Sequence, residues 1–144
     1  MQIDSRWDNL NPTDWAAFAE AWLIELRGST SDEESDVGEA VVRMNFTATP
    51  EQQWAFILAA VSLAESDEEL GHIAAGPIEH LLGWHGKDYI DLVEQHSERN
   101  PKFARALTGV AQYLMPDEVW SRIRALQRRV TNPIQDSRDK NENA

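Results

Sequence analysis

The chain has 144 residues, 25 of them acidic and 13 basic, for a formal net charge of −12, and it contains no cysteine. That length suffices for one domain with a sizeable core, and the missing cysteines exclude disulfides and thiolate zinc sites. So acidic a surface repels phosphate backbones, which argues against direct nucleic-acid binding and favours association with a basic partner.

Residues 1–120 carry 22 acidic and seven basic side chains, whereas residues 121–144 carry three and six. The opening stretch, MQIDSRWDNLNPTDW, has neither a basic leader nor a continuous apolar run. No window approaches the roughly 18 apolar residues of a membrane helix. A soluble, cytoplasmic protein is expected, monomeric or homodimeric.

In chain order, Trp15, Phe18, Ala19, Trp22, Leu23 and Leu26 fall on one helical stripe over 12–28, with Pro12 suited to the first turn and Gly28 to the end. Residues 29–39, STSDEESDVGE, hold carboxylates without a cation and read as a mobile acidic loop. EAVVRMNFT fits a short helix or a strand, and helix is preferred because no second strand candidate exists to pair with it. Thr49-Pro-Glu-Gln52 has the form of a capping box, and WAFILAAVSLA behind it is apolar on nearly every side, as a central buried helix would be.

Ser66-Asp-Glu-Glu69 repeats the capping logic. Further helical pieces are predicted at about 67–75, 77–83, 87–98, 101–113 and 116–130, with Pro77, Pro101 and Pro116 each where a helix would begin. Trp15, Trp22, Trp54 and Trp120 sit on apolar stripes and read as core; Trp7 is either a packed lid or an exposed contact. From Thr131 the tail is polar apart from Ile134, and is expected to be disordered or loosely attached. The expected architecture is an all-α domain over 1–130, of about seven short helices with no significant sheet. Helical-repeat-like packing is one arrangement, although no fixed sequence period supports a true array.

The segment HIAAGPIEHLLGWHGKDY, residues 72–89, admits two readings. As chemistry, His72, Glu79, His80 and His85 are potential metal ligands for a hydrolase, but His80 and His85 are five apart and His72 and His80 eight apart across Gly-Pro, not the i, i+4 of a helical ligand pair. As architecture, Gly76-Pro77 ends one helix and starts the next, while Gly83 and Gly86 make a tight corner that returns Trp84 to the core and leaves His85 as a cap. The architectural reading accounts for more residues. No G-x-S-x-G, glycine-rich phosphate loop or H-E-x-x-H occurs, so no catalytic, metal or cofactor-binding residue and no cofactor is assigned. Arg122, Arg124, Arg128 and Arg129 complement the dipole of the last helix, or form a basic face toward the acidic body or a second subunit.

Residues 74–82, AAGPIEHLL, the His85-Gly86 turn, Pro101, Phe103, Ala106 and Leu107 of PKFARAL, and Trp120 and Arg122 of WSRI together resemble a small bacterial helical domain family of unknown function. The family pattern is A-A-G-P-[LI]-E-x-L-L, H-G, P-x-F-x-x-A-L and W-x-R-[IV]. The resemblance implies a bacterial, helical protein and points to Glu79, His85 and Arg122 as the polar residues of the pattern; it implies no activity.

Taken with the missing catalytic motifs, the acidity leads to a binding protein: an inhibitor of immunity type that neutralises a basic toxin or nuclease by masking its active site. Asp32, Glu33, Glu34, Asp36 and Glu39 would steer the partner, with Asp67, Glu68 and Glu69 a second acidic patch and Trp7 an aromatic anchor. Alternatives are an acidic nucleic-acid mimic acting on a nucleic-acid-handling complex, the metal-dependent hydrolase, and a self-assembling subunit that buries its last helix.

Overall fold

A computed structural model of the chain describes residues 5–28 and 36–135, and all of its regular structure there is helical. The helices gather into two compact units, residues 1–64 and 65–144.

The first unit holds α1 (Pro12–Gly28), α2 (Asp36–Thr47) and α3 (Pro50–Leu63). Asn11 and Asp14 exchange backbone and side-chain hydrogen bonds of 2.8 and 3.0 Å, a reciprocal cap that starts α1. The box predicted at α3 is present: the Gln52 amide N–H donates to the Thr49 hydroxyl and the Thr49 N–H to the Gln52 side chain. EAVVRMNFT, whose pattern fits a helix or a strand, is helical, as the lack of a partner strand favoured. The helix begins earlier than the predicted acidic loop allows, because Asp36 and Glu39 occupy the first turn of α2, where their charge favours the helix dipole. The rest of that loop, 29–35, lies outside the described residues.

The core of this unit is aromatic. Trp7 stacks on Phe18 and Trp15 at ring separations of 5.6 and 6.4 Å; Phe56 meets Phe18 at 5.0 Å and Trp22 at 5.7 Å. Trp7 is thus packed and not an exposed anchor: its ring is 5% exposed, and its indole N–H donates to Thr47 Oγ1 at 2.7 Å. Trp54 is only half-buried, short of the core position its stripe suggested.

The second unit corrects the expected corners. α4 (Asp67–Ile73) passes through a π-helical turn (Ala74–Ile78) directly into α5 (Glu79–Arg99), where three separate pieces were expected. Pro77 does not break the helix. It sits inside the wide turn, where its missing N–H interrupts a ladder already re-spaced by i→i+5 bonding, and the Glu79 N–H reaches Ala74 O. Gly83 and Gly86 are helical, and no glycine among the described residues has a positive φ. What bends the rod is His85, at φ −134° and ψ 22°.

The remaining helices, α6 (Pro101–Leu107) and α7 (Asp117–Arg129), pack on α5 and on each other. α6 stops six residues short of its predicted end, and residues 108–116 form a loop. Phe103, Leu107, Ile73, Ile78, Leu81, Leu82 and Ile123 form the buried centre of this unit.

The start of the tail is also docked rather than loose. Ile134 is buried in a slot that exists because Gly109 lacks a side chain: its Cδ1 lies 2.6 Å from where a Gly109 Cβ would stand. The Ile134 N–H donates to Thr108 Oγ1 and the Gln135 N–H to Asp67 Oδ2. Residues 136–144 lie outside the described residues.

Candidate functional site

His72, Glu79, His80 and His85 do not gather. No group of three or more potential metal ligands occurs among the described residues. The Glu79 carboxylate accepts the Ala111 N–H at 3.1 Å, His80 packs its ring on Tyr113 at 5.4 Å, His72 is exposed, and His85 supplies the kink. Arg122 ion-pairs with Asp91 and Glu94, tying α7 to α5, and does not reach toward Glu79. Of the polar residues of the sequence pattern, Glu79 and Arg122 are therefore fastenings of the second unit, and His85 marks its bend.

The predicted second acidic patch is also partly spent on structure. Asp67 accepts two hydrogen bonds from Arg105, at 2.8 and 3.0 Å, besides the one from Gln135. Glu69 is buried; it accepts from the Ser66 hydroxyl and the Glu65 N–H while Ser66 caps α4. Burial takes Glu69 out of reach of direct contact with a partner. Glu68 remains exposed, as do Asp36 and Glu39 on α2. Asp32, Glu33 and Glu34 lie outside the described residues.

What stands out on the second unit is apolar. Trp84, expected to fold onto the core, is 60% exposed; Leu114 is 60% and Tyr113 40% exposed. The loop 108–116 is clasped against α5 by the Glu79–Ala111 bond, by His80 under Tyr113, and by Gly83, whose absent Cβ would lie 2.6 Å from the Tyr113 carbonyl oxygen and 3.3 Å from Leu114 Cβ. Gln112 closes the loop on itself by donating to Met115 O and Asp117 Oδ1. Leu114 adopts φ 59°, which costs a residue with a Cβ about 1–3 kcal/mol and persists only where the surroundings impose it. Asp88, Asp117 and Glu118, all exposed, lie on the flanking elements, and Lys87 meets Glu118 at 3.6 Å.

This platform was not legible beforehand. Leu114 continues the α6 stripe in sequence, and only the X-Pro restriction at Met115-Pro116 hinted that the helix ends before it. Elsewhere in this unit an open groove of about 320 Å³ runs between Pro101, Ala104, Leu126 and Arg129, with Ser97 and Thr131 at its sides.

Two imidazoles here are tuned by packing. Burial lowers the pKa of His80 below its ordinary value, and burial with the nearby Arg99 charge does the same at His96, whose ring meets Phe103 edge-on at 4.7 Å. Since the folded values lie below the unfolded value of 6.5, the unfolded chain binds the extra protons. The stability owed to neutral imidazole is complete above that value and is lost as the pH falls below it through the lower folded values. Wild type is expected to lose more melting temperature between about pH 7 and about pH 5 than His96→Phe does. Equal losses in calorimetry would remove His96 from the acid response.

Among the described residues no helix is long and apolar enough to cross a membrane. Compared with known families, residues 26–131 match the model of one family, of unknown function. No curated protein and no solved structure matches the chain.

Proposed function

The chain belongs to DUF6869, a family of unknown function, and from that premise we propose that it is a binding protein: an acidic inhibitor of immunity type, which neutralises a basic toxin or nuclease by covering its active site. The supporting observation is the surface of the first unit, where Asp8, Asp14, Glu20, Asp36, Glu39 and Glu51 are exposed against the cations Arg6, Arg27 and Arg43. Carboxylates so placed raise the local concentration of a cationic partner and speed its approach, while the buried apolar core of the unit keeps them on a rigid frame.

Co-expression with the product of the adjacent gene, followed by association kinetics, tests the reading. A complex is expected whose association rate falls steeply with salt and drops about 10-fold when Asp36→Asn and Glu39→Gln are combined. A partner that binds with the same rate in low and high salt would remove charge from the account, and with it the proposal. Melting curves of the double variant separate a lost charge from a frayed α2.

A further inference from the structure

We propose that the Trp84–Tyr113–Leu114 platform of the second unit receives an arginine-bearing segment of the basic partner; this rests on the reading of the protein as a binder of basic proteins. Trp84 is 60% exposed, and the loop that meets α5 at the neighbouring Gly83 adds the exposed side chains of Leu114 and Tyr113. The platform is also built and not adventitious. Trp84 stands on α5 beside the kink at His85, and the loop next to it is held by Glu79, by the ring of His80 and by the close approach at Gly83. A surface held in place before the partner arrives loses little entropy on binding.

Its rim selects the occupant. Asp88 lies one turn beyond Trp84 on α5, and Asp117 and Glu118 open α7 across the loop. Lys87 and Glu118 pair at 3.6 Å with both side chains at least 70% exposed, so the pair is weakly held and an incoming cation can replace Lys87. A planar cation that stacks on an indole and forks to a carboxylate at the ring's edge is a guanidinium; a lysine ammonium offers neither the stacking plane nor the fork. An anionic lipid surface or a nucleic acid would meet these carboxylates with repulsion.

Isothermal titration of the full chain with acetylated hexa-arginine amide, hexa-lysine amide and hexa-glutamate amide at low ionic strength tests the assignment. The arginine peptide should bind more tightly than the lysine peptide, and the glutamate peptide should not bind. Trp84→Ala should weaken the arginine peptide about 10-fold, and Trp84→Phe much less. Asp88→Asn with Glu118→Gln should weaken it and flatten its salt dependence. Melting curves of Trp84→Ala should match wild type, since the side chain is largely solvated. Salt-sensitive arginine binding that Trp84→Ala and the rim variant leave unchanged would overturn the platform assignment while sparing the acidic-inhibitor reading. Failure of wild type to bind either cationic peptide would overturn both.

Discussion

Gly83→Ala is expected to destabilise the protein by about 2–3 kcal/mol, the opposite sign to the usual effect of this substitution in a helix. Alanine normally gains about 1 kcal/mol over glycine in a helix interior, through lower backbone entropy in the unfolded chain and better propensity. At Gly83 that gain is overridden, because the new methyl carbon would stand 2.6 Å from the Tyr113 carbonyl oxygen. The obstacle is backbone, so a rotamer change cannot clear it; either α5 or the loop 108–116 must move. The loop is fastened by Glu79 and Gln112, so moving it loosens the Ala111 and Asp117 bonds as well.

Gly71→Ala provides the internal comparison. A Cβ there, inside α4, would make only an ordinary 3.8 Å contact with Ile134 Cδ1 and the φ is not positive, so the ordinary helical gain, up to about 1 kcal/mol, should appear. Urea unfolding of both variants followed by far-UV circular dichroism settles the pair. A Gly83→Ala protein as stable as wild type would mean that the loop does not lie against α5.

Phe56→Ala is expected to have the largest effect of any single truncation in the first unit, about 3–5 kcal/mol. The ring is fully buried, and it joins Phe18 and Trp22 of α1 to α3 at centroid distances of 5.0 and 5.7 Å. Truncation removes the transfer energy of the ring and leaves a void that α1 can close only by shifting the stacked Trp7 and Trp15. Phe56→Leu keeps most of the volume and should cost about 1.5 kcal/mol or less. Denaturant midpoints give the energies, and a red shift of tryptophan emission in the alanine variant would report loosening around Trp7, Trp15 and Trp22. A loss below about 1 kcal/mol for Phe56→Ala would contradict a close-packed aromatic core.

The helical class and most element starts were written locally. Thr49 and Gln52, Ser66 and Glu69, Pro101 at the start of α6, and the stripe from Trp15 to Leu26 act through partners within four residues or one face of one helix, so a linear reading reaches them. Composition likewise showed the chain to be acidic, and the helical periodicity agrees with the absence of sheet among the described residues.

Only tertiary packing decided what glycine, proline and tryptophan do here. Gly83 and Gly86 look like turn residues until α5 is seen against Tyr113 and Val119; they are small because something else is close. Pro77 looks like a boundary until a π-helical turn accommodates it. Trp7 is buried because Thr47, forty positions away, takes its N–H, while Trp84 is exposed because α5 turns it away from the core. Caps and periodicity are short-range effects, whereas close approach and exposure depend on residues distant in the chain, and no local pattern encodes where those will lie.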